Sequence, residues 1–108
     1  ERHLLLQGTT MERWSQWRSE ELARTQYAML SAALDVVRPG GRIVYSTCSI
    51  SPMENDGVLE RLMQRRGDQL ELVSPRLTWG EPTRYGWQVL PDVTHWGPMY
   101  VATLERAP

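Results

Sequence analysis

Several features are missing from this 108-residue sequence, and each absence excludes a class of protein. No run of apolar residues approaches the roughly 18 that a membrane-spanning helix needs, so no membrane association is expected. Cysteine occurs once, at Cys48, and histidine twice, which excludes an internal disulfide and a multi-cysteine metal site, and we expect no metal. The formal net charge of −1 excludes nucleic-acid binding through bulk positive charge alone.

Lysine is also absent, and all 12 basic residues are arginine. This bias has two explanations that the sequence leaves open: the base composition of the genome, or a preference for the bidentate contacts that guanidinium groups make with phosphate. The first residue is not methionine, and residues 1–7 fit neither a secretory signal nor an intact transit peptide. We therefore expect the chain to be a piece of a longer protein.

The residues that are present make an ordinary globular composition. Hydrophobic residues account for 41% and charged residues for 23%, and the glycines and prolines are scattered along the chain. A chain of this length can bury only one modest core.

An amphipathic helix and a buried strand are predicted in the first half of the chain. Apolar spacing predicts the helix over 19–38, with two glutamates in its first turn, whereas residues 1–18 are expected to form a surface loop or short helix. Pro-Gly-Gly at 39–41 ends the helix, and β-branched and aromatic residues over 42–47 predict the strand. The apolar stripe of the helix comprises Leu22, Met29, Leu30, Ala33, Leu34 and Val37.

A second helix is predicted from the signature at its N-terminus. Ser51 as the N-cap, Pro52 at the first helical position and Glu54 completing a capping box all favour a start at this point. The helix should run to about Arg66 and stop at Gly67. Its apolar face comprises Val58, Leu59, Leu62 and Met63.

The remaining residues predict short strands. These cover 69–74, 86–90 and 98–105, with a loop at 75–84. Helix, turn, strand, turn, helix is the order found in a doubly wound α/β sheet, whose ligands collect beyond the carboxyl ends of the strands. The predicted fold class is therefore α/β.

Cys48 has a setting that permits two interpretations. It follows the predicted strand and precedes the predicted helix, so it should lie at the carboxyl edge of the sheet, where the positive potential of a helix N-terminus favours a thiolate. A lone cysteine is also commonly a small buried hydrophobe. Thr47 and Ser49 beside it either donate hydrogen bonds to a thiolate or cap the turn.

Three stretches carry a specific pattern: LARTQYAML at 22–30, VRPGGRIVYSTCS at 37–49, and EN at 54–55 with Val58 behind it. Together they resemble the C-terminal half of the NSUN (Sun/Fmu-type) RNA cytosine-5 methyltransferases. One departure is Ala23-Arg24, where the family often has Leu-Pro; it alters how the helix begins and affects no chemistry.

The two ends of the chain extend the resemblance. GWQVLP at 86–91 followed by WGPMY at 96–100 is similar to the mitochondrial branch of the family, since the bacterial pattern usually reads Asp-Gly-Phe-Phe. The opening ERH at 1–3 resembles the stretch just after the family's Asp-Val-Pro-Cys motif. The resemblance thus covers nearly the whole chain.

The resemblance implies an α/β fold that is the C-terminal part of a class I (Rossmann-like) methyltransferase sheet using S-adenosylmethionine. Residues 1–108 would form a partial catalytic domain whose N-terminal, cofactor-binding half is absent. The glycine-rich cofactor loop, the acidic ribose ligand, the second cysteine and the aspartate that contacts the base belong to the absent part. We therefore expect no cofactor-binding residue in this segment and no activity from it alone.

By the same resemblance, Cys48 matches the family's nucleophile. Addition of its sulfur to C6 of cytosine raises the electron density at C5, which can then take a methyl group. Elimination of the sulfur needs groups that handle protons. The residues expected to support the catalytic loop are Gln26, Thr47, Ser49, Glu54 and Asn55. Gln26 is either a brace or an ordinary polar helix residue, and Glu54 and Asn55 are expected to be a helix cap first and a support second.

The implied substrate is a cytosine in structured RNA, with ribosomal RNA ahead of transfer RNA. A protein partner is a further expectation. The resemblance also implies a mitochondrial location, with the cytoplasm as the alternative. The rival interpretation is a noncatalytic RNA-binding or ribosome-assembly factor derived from the same fold.

Overall fold

A computed structural model of the chain describes residues 8–73, 80–89 and 98–108, with side chains from residue 16 onward. Two 3₁₀ turns, Pro52–Glu54 and Gly67–Gln69, flank the second helix. In the described residues, no helix is long and apolar enough to cross a membrane. The elements in chain order are α1 (Gly8–Val36), β1 (Arg42–Thr47), α2 (Asp56–Arg66), β2 (Leu70–Val73), β3 (Glu81–Pro82), β4 (Trp87–Val89) and β5 (Met99–Arg106).

The last strand, β5, is the centre of the sheet, and every described pairing is antiparallel. β1 pairs with it along its length, from Arg42 opposite Glu105 to Thr47 opposite Tyr100. On the other side of β5, β2 pairs with its C-terminal half and β4 with its N-terminal end, while β3 pairs with β4. β1 and β2 therefore run parallel to each other on opposite sides of β5. In the described part of the chain, β1 has a partner strand on one side only.

The core lies between the two helices and one face of the sheet. Burial alternates along β5, which turns every second side chain toward the helices. Burying each large apolar side chain stabilises the fold by about 1.5–3 kcal/mol relative to exposure. The buried cluster comprises Leu30 and Leu34 of α1, Val58, Leu59 and Leu62 of α2, and Leu70, Tyr100, Ala102 and Leu104 of the sheet. Helices packed on a sheet confirm the α/β class.

The first helix is longer than the sequence predicts. It begins at Gly8, so the expected loop or short helix before Ser19 is wrong for residues 8–18, and the two glutamates lie inside the helix. Once the C-terminal half is fixed by packing, each further residue adds a hydrogen bond without a new nucleation cost. At the other end, Arg66 donates to the carbonyl of Ser31 (3.0 Å) and Arg106 donates to that of Val37.

The apolar stripe of α1 is only partly correct. Leu30 and Leu34 are buried, but Leu22 and Met29 are 37% and 67% exposed. Ala23 and Tyr27, outside the predicted stripe, pack against the core, as does Val37. Ala33 is half-buried.

The second helix ends at Arg66 as predicted, but its start differs. Pro52–Glu54 is a separate 3₁₀ turn, and α2 begins at Asp56 with Asn55 as its N-cap. The predicted capping box needs the Ser51 N–H as a donor to Glu54. That N–H already donates to Ser49 Oγ (2.9 Å), and the Glu54 carboxylate instead accepts from Ser19 Oγ on α1 (3.1 Å), so the capping box is wrong.

Gly67 ends α2, but in a different way from the one expected of a helix-stopping glycine. Its φ of −61° is right-handed, and the chain passes into the 3₁₀ turn Gly67–Gln69 instead of a left-handed cap.

The three predicted strands are confirmed as β2, β4 and β5. The loop predicted at 75–84 is wrong for Glu81–Pro82, a strand too short to carry a periodic pattern. Predictions on residues 1–7, 74–79 and 90–97 lie outside the described residues.

Candidate catalytic loop

Cys48 lies directly after β1, at the carboxyl end of that strand, and its side chain is exposed. The alternation of β1 continues into the loop, so Cys48 and Ile50 are exposed while Thr47 and Ser49 are half-buried. The interpretation of Cys48 as a small buried hydrophobe is therefore wrong. The thiol is open to a ligand arriving at the edge of the sheet.

Asn55 holds both sides of the loop that carries Cys48. Its side chain is buried, with 3% of the residue exposed. The amide oxygen accepts a hydrogen bond from the Thr47 hydroxyl, and the amide nitrogen donates to the carbonyl of Ser49 (2.8 Å). One side chain therefore fixes the residue before Cys48 and the residue after it. Asn55 makes no side-chain cap to α2, so its expected order of roles, cap first and support second, is wrong.

The hydroxyls of Thr47 and Ser49 bond to the main chain of the same loop. Thr47 Oγ1 accepts from the Ser49 N–H (3.2 Å), and Ser49 Oγ accepts from the Ser51 N–H (2.9 Å). These contacts favour the turn-capping alternative over direct donation to the sulfur. They shape the backbone around Cys48, so that the thiol is positioned by a hydrogen-bonded loop.

Tyr45 connects Gln26 and Glu54 beneath this loop. Its hydroxyl lies 2.6 Å from the carbonyl oxygen of Glu54 and 3.1 Å from Oε1 of Gln26. Because a hydroxyl has one proton and a carbonyl can only accept, the phenol donates to Glu54, and the Gln26 amide satisfies it best by turning its NH₂ group toward the phenol. Burial, followed by the charge of Glu54, raises the pKa of the Tyr45 phenol, which keeps it a donor. Gln26 thus reaches the loop only through Tyr45.

Asp56 is the centre of a second network that the sequence interpretation missed. Its Oδ1 accepts from the hydroxyls of Tyr100 (2.6 Å) and Thr83 (2.9 Å) and from the N–H of Tyr85 (3.2 Å). Its Oδ2 accepts from the N–H of Arg84 (3.0 Å). The carboxylate therefore ties the start of α2 to the 83–86 turn and to β5.

Two features let the 83–86 turn approach β5 so closely. A Cβ on Gly86 would lie 2.5 Å from the carbonyl oxygen of Val101 and 2.8 Å from the Tyr100 hydroxyl, so only glycine fits. Burial, followed by the hydrogen bond to Asp56, raises the pKa of the Tyr100 phenol, which stays protonated as a donor. The rings of Tyr100 and Tyr45 meet edge to face, with centroids 6.3 Å apart. The two networks are therefore in direct contact.

A weak sequence signal existed for this second network. Asp56 occupies the first turn of a helix, where a carboxylate is favourable, and Tyr100 lies in the helix-facing register of β5. Neither position identifies the partner, because Thr83 and Tyr100 are 27 and 44 residues away from Asp56.

The described residues lack two features that are typical of a nucleotide-cofactor site in a doubly wound sheet. Neither a glycine-rich strand-to-helix turn nor an acidic residue at the end of β1 occurs in the part of the chain that the structure describes. The two carboxylates nearest the loop, on Glu54 and Asp56, are engaged by the hydroxyls of Ser19, Thr83 and Tyr100. The chain thus supplies a thiol and its supports.

Known proteins of one family match most of the chain in sequence. The sequence model of the 16S rRNA methyltransferase RsmB/F family matches residues 12–105. Ribosomal RNA small subunit methyltransferase F from Erwinia tasmaniensis is 39% identical over 62 residues, which cover 57% of this chain and 13% of that protein. The tRNA (cytosine(49)-C(5))-methyltransferase from Pyrococcus abyssi is 38% identical over 69 residues, which cover 64% of this chain and 22% of that protein.

A solved structure shows the same architecture. The crystal structure of a methyltransferase homolog protein from Pyrococcus horikoshii superimposes with a TM-score of 0.73 at 27% identity. The match covers 84% of this chain and 32% of that one. The chain therefore spans about a third or less of the relatives it matches.

Proposed function

Because the chain belongs to the 16S rRNA methyltransferase RsmB/F family, we propose that it is the part of an RNA (cytosine-5)-methyltransferase that carries the nucleophile. The observation that supports this role is the exposed Cys48 on a loop fixed by the buried Asn55. A merely structural cysteine would not need a buried amide holding both of its neighbours.

The proposed reaction begins at the sulfur of Cys48. The thiolate forms a bond to C6 of a cytosine, and the C5–C6 π pair moves to C5, which becomes nucleophilic. S-adenosylmethionine, bound by an upstream half, would supply the methyl group. Loss of the C5 proton to a base then returns the electron pair to the ring and expels the sulfur.

The residues around Cys48 position it for this attack. Asn55 holds the carbonyl of Ser49 and the hydroxyl of Thr47, so the thiol stays at the open edge of the sheet. Glu54 fixes the following turn through Ser19, and Gln26 acts on that turn through Tyr45. Restricting a nucleophile to its reactive geometry lowers the entropic part of the barrier. Gln26, Thr47, Ser49, Glu54 and Asn55 are positioning residues, and Cys48 is the catalytic one.

Ribosomal RNA is the first proposed substrate and transfer RNA the second, in line with the activities named for the relatives. The mitochondrial location is a further proposal, which depends on the likeness of WGPMY at 96–100 to one branch of the family.

A trapping assay tests the role of Cys48. The chain, joined to the upstream half that the resemblance predicts, is offered RNA with 5-fluorocytosine at the target, because fluorine at C5 blocks the elimination and retains the adduct. We expect a covalent adduct for the unmodified protein and none for Cys48→Ala. Ser46→Ala, which changes an exposed neighbour of Cys48, is the matched control and should react normally.

Two outcomes would count against the proposal. An adduct formed by Cys48→Ala would show that Cys48 is not the nucleophile. RNA binding without an adduct, for a protein that folds and binds S-adenosylmethionine, would instead favour the noncatalytic RNA-binding factor.

A further inference from the structure

Two arginines of α2 converge on one tyrosine of α1. The guanidinium carbon of Arg61 lies 4.4 Å from the centroid of the Tyr27 ring, and that of Arg65 lies 5.6 Å from it. Both distances fall within the range of a cation–π contact. The ring therefore holds two positive charges close together, one turn apart on the same helix.

Neither of these two charges is neutralised within the described part of the chain. Arg24, Arg66 and Arg84 each form an ion pair with a carboxylate, but Arg61 and Arg65 form none there. Like charges four residues apart on a helix repel each other. An anion bound between them would relieve this repulsion, which makes the pair a candidate anion site.

A groove extends from Arg61 toward the 3₁₀ turn that follows the catalytic loop. Its volume is about 290 Å³, and it lies between α1 and α2, from Met53 in the 3₁₀ turn after Cys48 to Arg61. Gly57 lines it without a side chain, and Glu20 and Arg24 line it at the α1 side, where Arg24 is paired with Glu21. At 1.5 Å per helical residue, the path from Gly57 to Arg65 is about 12 Å long.

We propose that Arg61 and Arg65 bind neighbouring phosphates of the RNA strand whose cytosine reaches Cys48. This inference rests on the proposed function. A guanidinium group presents a planar fork that matches phosphate oxygens, and stacking on Tyr27 orients that fork before RNA arrives. The net charge of −1 means that the chain has no general basic excess, so phosphate contacts need a local cluster of arginines such as this one.

Salt-dependent RNA binding tests the proposal in the chain joined to its upstream half. The double variant Arg61→Gln, Arg65→Gln is compared with Arg42→Gln, which also removes exposed positive charge but lies on β1, paired with Glu105. The probes are a single-stranded RNA of mixed sequence and a stem-loop RNA. For the single-stranded probe, each lost phosphate contact lowers the magnitude of the slope of log K against log salt by about 0.7.

We expect the double variant to lose roughly 1.4 from that slope and to bind roughly tenfold more weakly at low salt. Arg42→Gln should keep both values. An unchanged slope in the double variant, or an equal loss in Arg42→Gln, would overturn the proposal.

A second double variant separates the charge of the two residues from the planar shape of their guanidinium groups. Arg61→Lys, Arg65→Lys keeps both charges and loses both forks, so the slope should stay the same while affinity falls several-fold. Unchanged affinity would show that the fork has no role. Absence of the 5-fluorocytosine adduct in the unmodified protein would refute the role of Cys48 without affecting the slope measurement.

Discussion

Two adjacent residues, Asn55 and Asp56, hold two loops at the same edge of the sheet by different means. Asn55 uses one donor and one acceptor, and its partners lie six and eight residues earlier in the chain. Asp56 uses acceptors only, and it gathers hydroxyl and N–H donors from segments 27–44 residues later. An amide suits a loop that offers both a carbonyl and a hydroxyl, whereas a carboxylate suits a set of donors.

This difference predicts that the two residues affect different properties: Asn55 the rate of the reaction, and Asp56 the stability of the fold. The loop held by Asn55 carries an exposed thiol, so its failure should affect the reaction. The network of Asp56 joins α2 to β5, so its failure should affect the free energy of unfolding.

The largest effect on stability is expected for Asp56→Ala. The change leaves the Tyr100 and Thr83 hydroxyls and two N–H groups without their acceptor, and we expect a loss of about 2–4 kcal/mol. Urea unfolding measures it. The control Asp68→Ala, at an exposed position, should stay within about 0.5 kcal/mol of the parent. Equal losses in the two variants would show that the network contributes nothing specific.

Asn55→Ala is expected to lower the rate of 5-fluorocytosine adduct formation roughly 10–100-fold, because Cys48 loses its fixed position. Its unfolding free energy should fall by only about 1–2 kcal/mol. Asn55→Asp keeps an acceptor for Thr47 but loses the donor to Ser49, so its rate should also fall. Gln64→Ala, at an exposed position on α2, is the control. A normal rate in Asn55→Ala would mean that the clamp is not needed for attack.

Tyr100→Phe should have a smaller effect, about 1 kcal/mol, because Asp56 keeps its other donors. The raised pKa of the phenol means that its contribution to stability is complete below the ordinary pKa of 10.0 and is lost as the pH rises above it. Unfolding measured from neutral to alkaline pH should therefore show a shallower decline in Tyr100→Phe. Tyr85→Phe, whose hydroxyl is not a donor to Asp56, should retain the decline. If stability falls equally with alkaline pH in all three proteins, the decline does not come from the Tyr100 phenol.

The smallest effect is expected for Asp35→Asn, at a site far from both loops. The hydrogen bond from Arg66 holds the pKa of Asp35 below its ordinary value of 3.8. The ionised carboxylate therefore stabilises the fold above pH 3.8, and this contribution is lost as the pH falls through the lowered pKa. The variant should be slightly less stable at neutral pH and equal to the parent in strong acid. If the difference in unfolding free energy between the variant and the parent stays the same from neutral pH to strong acid, ionised Asp35 does not stabilise the fold.

Local patterns predicted much of this molecule, but they could not reveal contacts between distant segments. The strand at 42–47 and the helix end at Arg66 follow from neighbouring residues. The supporting roles of Thr47, Ser49 and Asn55 come from the family resemblance and stay a prediction. Asp56 could not be assigned, because its partners come from distant segments that only the fold brings together. The capping box is wrong because Ser49 competes for the Ser51 N–H, a contact that propensity alone does not reveal.

Among the described strands, β1 pairs on one side only, and this has a practical consequence for how the segment can be handled. Its open edge borders an apolar cleft of about 320 Å³, where Met29 and Val44 are 67% and 66% exposed. A strand edge next to apolar surface recruits another strand, so the segment produced by itself should self-associate.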